Sequence, residues 1–211
     1  MGGVNEKSQT REVEPERLEH FREVLAKAIE VAEGEGILYL IGGSMASNHW
    51  GRPSAVGDVD LIVQPTDAKR LLKAFDAADF DTEEADPNWL YKAKQGDISV
   101  DIIFEMEGHM YLEEEMVDHG VITELHGTRL RLMAAEDFVI SQALSAGEDT
   151  PDYWYNGLGV LAKTQLDWDY LVERASRGPR RVLSLLIFAQ SNDLPVPDGA
   201  IRRLSETVYG R

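Results

Sequence analysis

Three acidic residues in the sequence have the spacing of a divalent metal site. Asp58 and Asp60 stand two apart at the start of one apolar run, and Asp101 interrupts a second, 98–104. Residues i and i+2 of a strand share a face, so Asp58 and Asp60 are predicted to point the same way. Asp101 joins them if the two strands are neighbours. Carboxylates fixed on strands can bridge two divalent ions about 3.5–4 Å apart and so neutralise a triphosphate.

A glycine turn precedes these acids. The apolar run 37–41 ends at Gly42, Gly43 and Ser44, and a short helix is predicted from residue 45 to about residue 50. Glycine lets a phosphate approach the backbone, and the N–H groups at a helix start bind anions. Ser44 is predicted to cap the helix and to offer a hydroxyl donor. The turn and the acids together predict phosphate chemistry.

Each part has a structural alternative. A Gly-Gly-Ser segment is most often a plain tight turn, a D-x-D pair is most often a solvated strand end, and Asp101 could face water. The order of the parts favours function, because a turn, a short helix and acids on two apolar strands seldom follow one another by accident.

Composition excludes several other classes of protein. Hydrophobic content of 43% and charged content of 28% over 211 residues indicate a globular protein. A chain of this length forms either one domain or one domain with a helical appendage. No apolar run approaches the roughly 20 residues of a membrane span, and we expect a cytoplasmic location. The absence of cysteine excludes disulfides and thiolate zinc sites.

Charge is distributed unevenly along the chain. The net charge of −17 argues against broad binding to DNA. The region beyond residue 173 is basic, however, with arginines at 174, 177, 180, 181, 202, 203 and 211. These arginines could hold a nucleotide phosphate or an RNA end, or they could be solvated helix faces of an acidic protein.

Periodicity divides the chain into three parts. Residues 1–16 are polar and predicted to be disordered. Residues 17–134 alternate between helix and strand, with helices predicted at 18–32 and at 66–78, the second capped by Thr66. Residues 135–211 carry five helical patterns and are predicted to form a helical subdomain. The apolar run 183–188 predicts a helix buried in that subdomain or at a homodimer contact.

The motifs resemble the nucleotidyltransferase fold of the DNA polymerase beta superfamily. The matching segments are Gly42-Gly43-Ser44, His49-x-Gly51-Arg52, Asp58-Val59-Asp60 and Asp101 in SVDIIF, within residues 37–105. The chain looks closest to small prokaryotic members, which include antibiotic nucleotidyltransferases and abortive-infection toxins. The resemblance implies an α+β (α/β) class, with a small mixed sheet flanked by helices and an all-helical C-terminal subdomain.

The resemblance also implies roles for the site residues. Asp58 and Asp60 would bind two Mg²⁺ ions, with Mn²⁺ as the alternative metal, and Asp101 would be both a third ligand and the general base. Gly42, Gly43 and Ser44 would contact the triphosphate. Arg52 would contact a phosphate, and His49 would order that loop or the phosphate.

The expected reaction moves a nucleoside monophosphate from an NTP to a hydroxyl acceptor and releases pyrophosphate. The acceptor could be a small molecule, a protein or an RNA end. In toxin-like members a lysine is expected where this chain has Gln142, and Arg129 or Arg131 could take its role. Two alternatives follow. The chain could bind nucleotide as a regulatory module without turnover, or it could be a toxin that uses the basic C-terminal region to hold RNA.

Overall fold

The structure is a computed structural model that describes residues 15–53 and 57–210. The predicted disorder of residues 1–16 therefore lies outside the described residues up to residue 14, while Pro15 and Glu16 already belong to the first helix. The elements are α1 (Pro15–Gly34), β1 (Tyr39–Ile41), α2 (Gly43–Trp50), β2 (Asp58–Val63), α3 (Pro65–Ala77), β3 (Asp81–Asp86), β4 (Leu90–Gln95), β5 (Ile98–Ile103), α4 (Glu114–His119), β6 (Val121–Leu125), β7 (Thr128–Leu132), α5 (Ala135–Ser145), α6 (Pro151–Lys163), α7 (Trp168–Arg174), α8 (Pro179–Ser191) and α9 (Asp198–Tyr209).

The strands form one mixed sheet in the order β3-β4-β5-β2-β1-β7-β6. Strand β2 is parallel to β5 and antiparallel to β1, and β1 is parallel to the end of β7. The two strands that carry the predicted metal ligands are therefore neighbours at the centre of the sheet. Their interior residues Val59, Leu61, Val100 and Ile102 are fully buried, as apolar alternation on the opposite face predicts.

Helices cover the sheet and extend beyond it. The buried stripe of α1, which includes Phe21, Val24 and Leu25, belongs to the same core as the sheet. Helix α5 packs against α6, α7 and α8, and α2 contacts both α5 and α6. The predicted fold class is confirmed: a mixed sheet is flanked by helices and is followed by a helical region.

The subdomain boundary near residue 134 stays a prediction. The buried residues of α5 to α9 and those of the sheet form one continuous core. Phe138 and Val139 of α5 are almost completely buried in it. The helical region is thus packed onto the sheet through α5.

Both predicted helix caps, Ser44 and Thr66, are wrong because each helix begins before the predicted cap residue. The residue before α2 is Gly42, so Ser44 lies in the first turn of the helix instead of capping it. Helix α3 starts at Pro65 after Gln64, one residue before the predicted cap Thr66. Proline suits the first helical position because its fixed φ matches the helix and its missing N–H has no intrahelical acceptor there.

Candidate active site

The sheet brings the three predicted carboxylates together. Asp60 is directly opposite Asp101 in the parallel pairing of β2 with β5, and Asp58 lies two residues before Asp60 on the same face. One carboxylate oxygen from each of the three residues lies within 4.8 Å of the other two. An all-oxygen ligand set of this size suits a hard divalent cation such as Mg²⁺ or Mn²⁺. The residues therefore fit the metal that the resemblance implies.

Burial and neighbouring charges raise the pKa of Asp58 and Asp60. Burial raises the pKa of Asp60 to about 7, and the charges of Asp58 and Asp101 add to the shift. Burial and the nearby Asp101 also raise the pKa of Asp58. Three carboxylates at this separation repel one another, so a bound cation would relieve that repulsion.

The glycine turn holds Asp60 in position. Gly43 has a φ of +52°, and a Cβ built there would overlap Oδ2 of Asp60. The backbone of Ser44 hydrogen-bonds to the Asp60 carboxylate and lowers its pKa, against the larger effect of burial. Gly42 is less restricted, since a Cβ there would lie 2.8 Å from Cδ1 of Ile62, the mobile end of a side chain. The structure thus places the turn directly against the acids, and its contact with a triphosphate stays a prediction.

Lys92 is a member of the cluster that the sequence reasoning missed. Its Nζ lies 2.9 Å from Oδ1 and 2.7 Å from Oδ2 of Asp101. The sequence does contain a signal for this contact. A two-residue hairpin turn at Gly96 and Asp97 pairs residue 92 with residue 101 across β4 and β5. Asp101 also accepts a hydrogen bond from Ser99 Oγ at 2.7 Å.

Arg52 is directed at α6 in this structure. Its Nη1 donates to Oδ1 of Asn156 at 2.8 Å and to the carbonyl of Asp152 at 3.1 Å. The guanidinium also lies over the Tyr155 ring, 5.6 Å from its centre. These contacts tie the loop after α2 to the helical region, and the predicted phosphate contact of Arg52 stays a prediction.

His49 is exposed on α2, and its ring meets the Trp50 ring edge-on at 4.6 Å. The indole N–H of Trp50 in turn donates to the carbonyl of Met133 at 2.9 Å. The Trp50 bond fixes the end of α2 against Met133, and the expectation that His49 orders the following loop stays a prediction. A role for His49 at the nucleotide remains a prediction.

A cavity of about 580 Å³ opens beside the acids. It runs from Gly43 and Asp60 along the end of β5 to Gln142 and Tyr153, with Trp89 at its rim. Glu105 and Glu107 also line it, and no lysine or arginine does so among the residues that the structure describes. A ligand in this cavity would meet apolar and acidic surface.

Gln142 stands where a lysine was expected, and it joins a polar chain to Arg52. Asn156 Nδ2 donates to Gln142 Oε1 at 3.1 Å, while Asn156 Oδ1 accepts from Arg52. Gln142 also donates to Ser141 Oγ at 3.3 Å. Of the two arginines considered as substitutes, Arg131 donates to the carbonyl of Val117, and neither it nor Arg129 lines the cavity.

Several arginines of the basic C-terminal region bind carboxylates of the chain itself. Arg174 is buried and pairs with Asp137, Glu113 and Glu115. Arg177 also pairs with Glu113, and Arg203 pairs with Asp169. These ion pairs reduce the positive charge that the region could offer to RNA, while Arg211 lies outside the described residues.

The described helices were also compared with the requirements of a membrane span. Within residues 15–53 and 57–210, no helix has both the length and the apolar character that crossing a membrane requires.

Comparison with known proteins gives a family and a fold. A sequence profile described as "nucleotidyl transferase of unknown function (DUF2204)" matches residues 21–172. The fold is similar to an antigenic nucleotidyltransferase-like protein from Paracoccidioides brasiliensis, with a TM-score of 0.51, 14% identity, and 93% of this chain and 98% of that chain covered. It is also similar to the antibiotic-resistance factor ANT(2'')-Ia in solution, with a TM-score of 0.50, 14% identity, and 83% and 94% covered. No curated protein matches the sequence.

Proposed function

Because this chain belongs to the nucleotidyl transferase family of unknown function (DUF2204), we propose that it transfers a nucleoside monophosphate from an NTP to a hydroxyl acceptor. Pyrophosphate is the second product, and the reaction depends on Mg²⁺, with Mn²⁺ as a substitute. The observation that carries this proposal is the convergence of Asp58, Asp60 and Asp101 beside the Gly43 turn.

The three carboxylates have separate tasks in the proposed reaction. Asp58 and Asp60 would hold the metal, and a bound Mg²⁺ would supply positive charge to the triphosphate. Asp101 accepts the proton of the attacking hydroxyl, for which its place beside Asp60 on the neighbouring strand suits it. The P–O bond to the acceptor forms as the bond between the α- and β-phosphates breaks, and the charge leaves with pyrophosphate.

The remaining predicted residues hold the nucleotide. The turn Gly42-Gly43-Ser44 at the start of α2 would contact the phosphates. In this structure the Gly42 N–H donates to the Asp60 carbonyl and the Ser44 backbone hydrogen-bonds to the Asp60 carboxylate, so a phosphate would compete with Asp60 for these donors. Arg52 and His49, which lie at the end of α2 and just after it, would approach the phosphates from the other side. The adjoining cavity provides the volume for a base or an acceptor, and its acidic lining favours a ligand without negative charge there.

Pyrophosphate release measures the proposed reaction directly. The full chain is incubated with each of the four NTPs, Mg²⁺ and a panel of hydroxyl compounds, and Asp58→Asn is compared with wild type. Asp81→Asn is the matched control, since Asp81 is an exposed carboxylate on the edge strand β3. We expect turnover by wild type and Asp81→Asn and a loss of at least 100-fold in Asp58→Asn, of the order that essential electrostatic groups contribute.

Calorimetry and growth experiments distinguish the two alternatives that the sequence left open. Calorimetric binding of an NTP with Mg²⁺, but no pyrophosphate with any acceptor, would support a regulatory nucleotide-binding module. A toxin that modifies RNA should arrest growth on expression, and Asp60→Ala should relieve the arrest. The ion pairs of Arg174, Arg177 and Arg203 count against the basic surface that this toxin would need.

A further inference from the structure

One lysine and two aspartates stand in one row across the centre of the sheet. Lys92 of β4 is opposite Asp101 of β5, and Asp101 is opposite Asp60 of β2. Neighbouring strands are about 4.8 Å apart, so each group in the row is within direct reach of the next. Strand β4 flanks β5 on the side opposite β2, yet the Lys92 ammonium is close enough to lower the pKa of both Asp58 and Asp60, against the larger effect of burial.

The Lys92–Asp101 pair is tight and partly shielded from water. The ammonium contacts both carboxylate oxygens, and the two side chains are only 27% and 13% exposed. Ser99 Oγ donates a further hydrogen bond to Oδ1 of Asp101. The Coulomb attraction between charges is stronger where water is partly excluded, so Lys92 competes with a metal ion for the Asp101 carboxylate.

The charge of the cluster matches one divalent ion. Asp58, Asp60 and Asp101 carry three negative charges when ionised, and Lys92 carries one positive charge, so the net charge of the cluster is −2. A single Mg²⁺ would balance the remainder, whereas a second ion against Asp101 would stand next to the ammonium and repel it.

We propose that the Lys92 ammonium takes the place of a second divalent ion, so that the nucleotide-free chain binds one ion, between Asp58 and Asp60. This inference rests on the proposed function, because it concerns the metal requirement of the same site. Lys92 acts as a positioning residue: it fixes the Asp101 carboxylate and supplies the positive charge beside it. The resemblance to two-metal enzymes implies the opposite stoichiometry.

Strand β4 also provides a matched control. Lys94 lies two residues after Lys92 and so shares its face of the sheet, but its ammonium pairs with Glu83 at 3.8 Å and is 47% exposed. Lys94→Met removes the same charge and leaves Asp101 paired. Lys92→Gln provides a second test variant, because glutamine keeps a hydrogen-bond donor for Asp101 without the charge.

Mn²⁺ titration of the full chain, followed by the electron paramagnetic resonance signal of unbound ion, counts the sites. We expect one bound ion per chain in wild type and Lys94→Met, two in Lys92→Met and Lys92→Gln, and none in Asp58→Asn. Circular dichroism confirms that each variant is folded. The count does not depend on turnover, so it tests Lys92 apart from activity.

Two outcomes would overturn the inference in distinguishable ways. Two ions bound to wild type, or one ion bound to both folded Lys92 variants, would refute the role of Lys92 and leave nucleotidyl transfer standing. A wild-type chain that binds no Mn²⁺ and releases no pyrophosphate would refute the inference together with the proposed function.

Discussion

Gly43 and Asp60 fill adjoining space so closely that no side chain on residue 43 could share it. A Cβ at Gly43 would overlap Oδ2 of Asp60, and the backbone at Gly43 has the left-handed φ of +52°. Both constraints select glycine. The same contact fixes where the Asp60 carboxylate points, so the geometry of the turn and the geometry of the acids are set together.

Gly43→Ala is therefore expected to weaken metal binding as well as stability. The left-handed conformation alone should cost about 1–2 kcal/mol for a residue with a side chain. The added methyl group must also displace the Asp60 carboxylate, and we expect Mn²⁺ affinity to fall at least tenfold. Calorimetry with Mn²⁺ and urea unfolding measure the two effects on one preparation.

Gly36→Ala separates the cost of the left-handed backbone conformation from the effect of the contact with Asp60. Gly36 has a φ of +65°, but a Cβ there meets nothing within 4 Å. This variant should lose a similar amount of stability from the backbone conformation and keep wild-type metal affinity. Equal Mn²⁺ affinities in the two variants would contradict the role assigned to the Gly43–Asp60 contact.

Without metal, the chain should become less stable as the pH rises. Burial, with the charges of Asp58 and Asp101, raises the pKa of Asp60 to about 7, while an aspartate in the unfolded chain titrates near ~3.9. Between these values the folded state keeps a proton that the unfolded state has released. The free energy of unfolding should therefore fall as the pH rises from about 4 to about 7.

Thermal unfolding in the presence of a chelator, across this pH range, measures that loss. Asp60→Asn is the control, because it removes the titrating group and keeps the size of the side chain. Repulsion within a chain of net charge −17 changes with pH in both proteins, so the comparison isolates Asp60. Identical pH dependence in the two proteins would contradict the assignment.

Variants of Arg52 and Asn156 distinguish a phosphate contact from a loop anchor. If Arg52 binds phosphate, it must leave Asn156, to which it now donates at 2.8 Å. Arg52→Ala should then raise the KM for NTP about tenfold, as loss of a charge-assisted hydrogen bond does. Asn156→Ala should leave that KM unchanged or lower it. If both variants raise KM equally, Arg52 serves only to fix the loop.

Arg174 should be among the most stabilising residues of the helical region. It is buried and pairs with Asp137, which is completely buried, and with Glu113. Arg174→Met leaves the buried carboxylate of Asp137 without its cation, at a cost of about 3–5 kcal/mol in the free energy of unfolding. Urea unfolding measures this loss.

Arg203→Met is the matched control for Arg174. Arg203 pairs with Asp169, and the two side chains are 47% and 88% exposed. Exposed ion pairs contribute about 0–1 kcal/mol, so this variant should unfold nearly as wild type does. A loss of comparable size in the two variants would show that burial does not set the strength of these pairs.

Strand alternation was enough to predict which acids meet. Asp58 and Asp60 follow from their spacing on one strand, and Asp101 follows once β5 lies beside β2. Lys92 was missed because a lysine in a short strand carries no motif. Its position depends on the register of β4 against β5, which the hairpin turn at Gly96 fixes.

The parts of the fold that were not predicted depend on tertiary contacts. Strand β3, of sequence DTEEAD, has little intrinsic preference for a strand, and its pairing with β4 determines its conformation. The acidic segment 111–117 has no clear periodicity, and part of it forms α4, in which Met116 and Val117 are buried. The orientation of Arg52 could not be predicted either, because its partners Asp152 and Asn156 are about a hundred residues away along the chain.

The two-residue turn between β4 and β5 links loop length to the electrostatics of the site. A change in this turn that moved the register of β4 by one position would send Lys92 to the opposite face of the sheet. A relative with such a shifted register would need another cation at Asp101, or metal in place of the lost charge. Relatives whose register differs here should thus differ from this chain in how many ions they require.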